Sequence, residues 1–371
     1  MDEYDIAVIG GGPAGMATAL SAAAPGAVAF GSLAPGEPPR VLLIERAPTL
    51  GGILNQCAHS GFGLTYFGEE LTGQEYARRF VERVRASGVE VLTDTMVLEI
   101  DSDRCITVSG KNTGLARIGA KAVVLASGCR ERPIGALPVA GTRPAGVYTA
   151  GAAQKMINLG GYDLGDRFVI LGSGDVGLIV ARELALRGKE VVAVLEKESR
   201  CGGLPRNRIN CLEKYGIPLI TNATVSEVHG IGRITGVSVL HNSQCVIHDG
   251  YIECDTLITS VGMVPERELL DRFSGDLPEW LFLCGNACYV HDVVDDVTVE
   301  AERVGSYAAE YCFTGERIVE SGERVVESGE RIVESGAGSV LRCVGCPKGC
   351  AVEETADGWQ GLVCGRASPE F

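Results

Sequence analysis

The sequence predicts an α/β protein: two Rossmann-like dinucleotide-binding domains followed by a small C-terminal cysteine-rich, metal-binding tail. Three observations predict it. A buried strand, a glycine turn and a small-residue helix start at Asp5 to Gly15; the same arrangement recurs at Arg167 to Gly177; and four cysteines crowd the segment Arg342 to Phe371.

The first unit opens with Asp5-Ile-Ala-Val-Ile-Gly-Gly-Gly-Pro-Ala-Gly15, a strand and turn leading into a helix expected to reach about Ala24. Residues 25–40 are rich in Gly, Pro and Ala and read as an irregular loop, after which Val41 to Glu45 supplies the second parallel strand. Thr72 and Glu75 form a capping box for a helix whose apolar positions Tyr76, Ala77, Phe80, Val81 and Val84 share one face; Gly88 stops it. Residues 89–120 alternate in short segments, as a small antiparallel layer would, and lead into the buried strand Ala122 to Gly128. The second unit starts at Arg167 and continues to the strand Glu190 to Glu196. Val297, Ala301, Val304, Ala308 and Cys312 then stripe a closing helix.

Gly10, Gly12 and Gly15 match G-x-G-x-x-G between a strand and a helix. The first allows the turn, the second lets a pyrophosphate approach the backbone, and the third lets helix and strand pack closely. Glu45, 35 positions after Gly10, is placed to accept hydrogen bonds from a ribose. Gly172, Gly174 and Gly177 repeat the fingerprint, with Glu196 at 24 positions. A carboxylate there binds the 2′-hydroxyl of NAD(H) and repels the 2′-phosphate of NADP(H), although Lys197 and Arg200 moderate the preference.

The order of these segments over residues 4–313 resembles the two-dinucleotide-binding-domain flavoproteins, a family of FAD/NAD(P)-dependent oxidoreductases. The resemblance implies an FAD-binding domain at 1–150 and 255–313, interrupted by an NAD(P)-binding domain at 151–254. Ala126-Ser-Gly128 is similar to the family's A-T-G crossover, and Cys284-Gly285-Asn286 to its final G-D motif with Asn286 in place of Asp. Gly52, Gly128, Gly285 and Asn286 thus join the expected FAD site, and Gly262 the NAD site. Leu50 to Gly63 and Gly141 to Gly151 resemble a subgroup associated with anaerobic glycerol-3-phosphate-dehydrogenase-like flavoproteins, which implies a redox partner flavoprotein subunit.

Fourteen cysteines without an export signal point to thiols, metal ligands or redox chemistry rather than a disulfide framework. Cys57 lies where disulfide reductases keep their redox cysteines, yet no second cysteine accompanies it in C-x-x-C or C-x4-C spacing. His59 and His291 are candidate proton donors or structural hydrogen-bonding groups. Gly-Glu-Arg-Ile-Val-Glu-Ser, repeated three times from Gly315 to Ser335 with one Ile-to-Val change, reads as a linker over 314–338, with a short helix or hairpin as the other reading.

The tail, 339–371, carries Cys343, Cys346, Cys350 and Cys364 in a segment too small for its own core. The three-plus-one spacing favours a [4Fe–4S] cluster, with zinc as the alternative. Together these features predict a cytoplasmic oxidoreductase that passes hydride between nicotinamide and FAD, and electrons onward through an Fe–S centre. An NADH-dependent thiol/disulfide reductase using Cys57, and a non-catalytic assembly subunit with a zinc-binding docking tail, are the alternatives. A net charge of −15 argues against a nucleic-acid partner, and no apolar run has the length of a membrane span.

Overall fold

The computed structural model describes residues 2–24, 38–241, 250–273 and 277–315, and beyond these only the backbone of short strands between 324 and 359. The tail cysteines lie outside the residues whose side chains are described, as does the 25–37 part of the loop. The chain divides into two units. One comprises residues up to Asn55, Ser60–Cys129 and the chain from Pro265; the other comprises Gln56–His59 and Arg130–Val264.

In the first unit Asp2–Ile9 lies parallel to Val41–Ile44, with Ile6 opposite Val41 and Ile9 opposite Ile44. Glu90–Leu92 extends the sheet on that side. On the other side runs the long strand Gly114–Leu125, which changes neighbours along its length. Its first half pairs antiparallel with Cys105–Gly110, and its last residues pair parallel with Leu281–Leu283. The antiparallel layer expected over 89–120 is this meander from Thr95 onward, completed by Thr95–Ile100, whereas Glu90–Leu92 pairs parallel with Val41–Ile44. Ile6, Val8, Leu42, Leu43, Val123 and Val124 are fully or almost fully buried, as strands covered on both faces require.

Small residues set the helix packing on this sheet. The helix Pro13–Ala22 crosses the closing helix Val294–Thr314 at Gly305, where a Cβ would stand 2.4 Å from Thr18 O. That approach lets Ser21 Oγ donate to Glu302 O at 2.6 Å. The helix Gly73–Ala86 begins at the expected capping box: Thr72 Oγ1 accepts the Glu75 N–H, and the Glu75 carboxylate accepts the Thr72 N–H at 2.8 Å. Tyr76, Ala77, Phe80 and Val84 are buried and Val81 is half-buried, so the apolar stripe faces inward as its spacing requires.

In the second unit five parallel strands run in the order Val147–Thr149, Thr256–Thr259, Arg167–Leu171, Glu190–Leu195 and Leu219–Ile220. A second sheet, formed by Ala223–Gly230, Ile234–His241 and Tyr251–Glu253, is antiparallel, with Ala140–Gly141 added in parallel. The units exchange at 129/130 and 264/265, against the sequence expectation of 150/151 and 254/255. The reason is pairing: Ala140–Gly141, Val147–Thr149 and Thr256–Thr259 are all strands of the second unit's sheets. Among the described residues no helix is long and apolar enough to cross a membrane.

Candidate functional site

The glycine turn of the first unit is held by its neighbours on both sides. Gly10 N–H donates to Ile44 O and Ala126 N–H to Ile9 O, each at 2.8 Å, which locks the end of the first strand between the two beside it. Gly10 has φ +111°, and a Cβ there would stand 2.3 Å from Ala126 O; a Cβ on Gly15 would stand 1.7 Å from Gly10 O. These two positions exclude any side chain. Gly12 is different: its backbone is extended (φ −76°, ψ −173°), and the nearest atom to a Cβ would be Gly52 Cα at 4.0 Å. Neither strain nor a clash within the chain requires glycine there.

Glu45 accepts two backbone N–H bonds, from Gly11 to Oε2 and from Ala47 to Oε1, each at 2.7 Å. Each carboxylate oxygen keeps a further lone pair for a ribose hydroxyl. Gly52, at φ +54°, packs against Gly12, while Gly51 N–H donates to Gly11 O at 2.8 Å. Gly128, at φ +77°, opens onto space with no atom within 4 Å of a Cβ. Its carbonyl accepts Glu266 N–H at 2.9 Å, and Ser127 Oγ donates to Glu266 O at 2.6 Å. Gly285 sits at φ +60°, where a Cβ would meet Ala14 Cβ at 2.7 Å, so the G-N pair lies against the start of the first helix. Arg267 fixes the following turn by donating from Nε to Ala287 O at 2.7 Å.

The second unit repeats this arrangement with one addition, a hydrogen bond from Ser173 Oγ to Glu196 Oε2 at 2.5 Å. Gly172, at φ +100°, would place a Cβ 2.0 Å from Ser260 O, and Gly177 would place one 2.7 Å from Gly172 O. Gly174 is extended (φ −64°, ψ 162°) and has no atom nearer than Ser260 Oγ at 4.0 Å. Glu196 accepts Ser173 N–H and Glu198 N–H, each at 2.9 Å, as Glu45 accepts Gly11 and Ala47. Gly262, at φ +101°, opens onto space as Gly128 does. Lys197 and Arg200 are exposed. Ser173 also holds the loop Cys201-Gly202-Gly203, its Oγ accepting Gly202 N–H and its carbonyl accepting Gly203 N–H, each at 2.8 Å. That loop was not singled out from the sequence, although its paired glycines were the available signal.

Each helix N-terminus leaves free N–H groups and a positive dipole end beside an open glycine, which suits a pyrophosphate. The residues present therefore fit a dinucleotide in each unit. Cys57 is placed otherwise: it belongs to the second unit, is buried, and its thiol lies 3.8 Å from Gln154 Oε1. Burial, with the Glu183 charge adding to it, pushes this thiol up to about 12, so it is protonated at neutral pH. Among the described residues no three His, Cys, Asp or Glu side chains converge as a metal site.

The two units thus carry the same glycine turn braced by a carboxylate. The pattern of the family described as pyridine nucleotide-disulphide oxidoreductase matches residues 4–278, and the chain belongs to that family. It is similar to an opine oxidase subunit of Agrobacterium tumefaciens, 32% identical over 205 residues that cover 53% of this chain and 37% of that one. It is also similar to the alpha subunit of sarcosine oxidase from Corynebacterium sp. (strain P-1), 28% identical over 74% of this chain and 28% of that one. The chain thus spans about a third of the length of these curated relatives. Thioredoxin reductase of T. acidophilum shares the fold, with a TM-score of 0.64 and 19% identity over 84% of this chain and 98% of that one.

Proposed function

We propose that the chain is a cytoplasmic FAD-containing NADH oxidoreductase that delivers electrons through an Fe–S centre on its tail to a redox partner flavoprotein subunit. The observation that carries the two-cofactor reading is the pair Gly12 and Gly174. Both are glycines in a backbone conformation open to any residue, and both have free space where a side chain would be. A ligand that must touch the backbone explains the same choice twice. Gly10, Gly12, Gly15, Glu45, Gly52, Gly128, Gly285 and Asn286 would hold FAD; Gly172, Gly174, Gly177, Glu196 and Gly262 would hold NAD(H).

FAD supplies the chemistry, since it accepts a hydride and can return it as single electrons. The chain's own part is placement. Glu45 and Glu196 would hold a ribose through carboxylates already fixed by two backbone N–H groups, and the N-terminus of the helix Pro13–Ala22 would hold the pyrophosphate. Support for a partner comes from the relatives, which are named as subunits. Support for Fe–S comes from the spacing of Cys343, Cys346, Cys350 and Cys364, which zinc would satisfy less well.

The test is anaerobic purification followed by a visible spectrum before and after NADH, with iron and sulfide analysis. Flavin bands that bleach on NADH, above a broad brown absorbance with iron and sulfide present, are expected. A yellow protein that bleaches but holds zinc would remove the Fe–S relay, and one that NADH leaves unbleached would remove the oxidoreductase reading.

A further inference from the structure

Asn286 stands where the related motif has an aspartate, and the exchange changes what the position must do. A carboxylate offers an acceptor oxygen whichever way it turns. An amide has a donor edge and an acceptor edge, and only one can face a ligand. The neighbours of Asn286 in the first unit settle which.

The backbone N–H of His291 lies 3.0 Å from the Asn286 amide, and because a backbone N–H can only donate, the atom facing it is Oδ1. His291 Nδ1 is 3.2 Å from the same oxygen and 3.1 Å from Tyr289 O. Both neighbours are acceptors, so Nδ1 carries a hydrogen. On the far side of the ring, Nε2 is 2.6 Å from Glu300 Oε2, and among the described residues these two buried atoms have no hydrogen-bond partner; each faces the other. Glu300 Oε1 in turn accepts Gly285 N–H at 3.0 Å. The imidazole is 3% exposed and the Glu300 side chain 13%, and the Tyr289 ring stacks on the imidazole at 4.0 Å.

The helix bearing Glu300 is itself anchored. Asp295 accepts N–H bonds from Gly63, Thr65 and Tyr66, and Thr298 Oγ1 lies 2.7 Å from the Tyr76 hydroxyl. The acceptor edge of Asn286 is thereby committed to His291. Its donor edge, Nδ2, is turned toward the sulfur of Cys129 at 3.6 Å, a weak acceptor, next to the open Gly128.

We propose that Glu300 and His291 form a buried positioning pair that fixes the Asn286 amide, so that this chain meets the cofactor at this position with an N–H donor in place of a carboxylate acceptor. The proposal rests on the reading of this unit as the FAD site. His291 and Glu300 are positioning residues and act through Asn286.

A double-mutant cycle on the full chain tests it, with the dissociation constant of FAD measured by fluorescence quenching on titration of the apoprotein. His291→Leu is expected to weaken FAD about tenfold when position 286 is Asn, on the scale of one lost hydrogen bond. In the Asn286→Asp background the same change is expected to cost less than about threefold, because a carboxylate has no edge to fix. Glu300→Gln is expected to stay within about threefold of the parent, since its oxygen still accepts Gly285 N–H and its amide donates to Nε2.

Equal weakening by His291→Leu in both backgrounds would make the imidazole a general structural group and overturn the proposal, as would no weakening in either. A loss from Glu300→Gln as large as that from His291→Leu would overturn it in favour of a buried charge. If His291→Leu fails to fold, Glu300→Leu with and without Asn286→Asp runs the cycle from the other end of the pair. A parent chain that binds no FAD would sink the flavoprotein reading itself, which is a separate result from binding without coupling.

Discussion

Glu45 Oε2 accepts the Gly11 N–H at 2.7 Å, and 151 positions later Glu196 Oε2 accepts the Ser173 N–H at 2.9 Å, so each acidic residue braces the turn it would help a ribose to reach. Glu45→Ala removes the acceptor of two N–H groups at a residue only 7% exposed. It should cost about 1–3 kcal/mol in stability. FAD affinity should fall with it, and thermal melts of apo and FAD-saturated protein will read both. An unchanged melting temperature would mean that the carboxylate does not brace the turn.

The open glycines separate binding from folding. Gly12→Ala should leave the apoprotein's stability within about 1 kcal/mol, since its backbone is extended and no atom crowds the new methyl. FAD binding should weaken about tenfold or more. Gly10→Ala should instead destabilise the fold by more than about 1 kcal/mol, because φ is +111° and Ala126 O is 2.3 Å from the new carbon. Gly174→Ala should raise the KM for NADH while FAD stays bound. Denaturant titrations with FAD and NADH affinities distinguish the three, and a Gly12→Ala variant that keeps full FAD affinity would count against a pyrophosphate at that turn.

Glu196 is expected to set the nucleotide preference. Glu196→Ser frees the Glu198 N–H, removes the negative charge that opposes a 2′-phosphate, and leaves Lys197 and Arg200 to attract it. The ratio of kcat/KM for NADH over NADPH should fall by about tenfold. A parent enzyme that already prefers NADPH would refute the assignment.

Cys57 provides a pH test. Burial raises its thiol to about 12, and burial likewise raises Cys254 and Cys312 to about 12. Unfolded thiols ionise near their ordinary value of about 8.5, so above that pH the unfolded chain binds fewer protons than the folded one. Stability is then fully present below about pH 8.5 and declines as pH rises toward 12, which melting curves at pH 8 and pH 10 will show. At pH 8 a thiol alkylating agent should modify Cys57 far more slowly in native than in unfolded protein. Rapid native labelling of Cys57 would revive the thiol reductase.

For the tail, Cys346→Ser together with Cys350→Ser should reduce bound iron to background while the FAD content stays unchanged, measured by metal and flavin analysis. Loss of FAD alongside iron would show that the tail supports the flavin site rather than a separate centre.

The sequence by itself determined the two dinucleotide units, the capping box of Thr72 and Glu75, and the closing helix, because each is written in spacings of a few residues. A strand's alternation, a helix's stripe and a G-x-G-x-x-G turn are local, and glycines such as Gly10 and Gly15 carry their reason in the turn they form. Only the tertiary structure decided what depends on partners distant along the chain. The units exchange at 129/130 and 264/265 because Ala140–Gly141 and Val147–Thr149 find strands about a hundred residues away. Cys57 is buried because Gln56 Nε2 donates to Gly151 O and Asn158 Nδ2 to Gln56 O, which draws the segment onto the helix Ala150–Asn158. His291 reads as an isolated candidate until the closing helix brings Glu300 to within 2.6 Å of it. No periodicity records such meetings, since they are set by how helices and sheets pack rather than by the order of neighbouring residues.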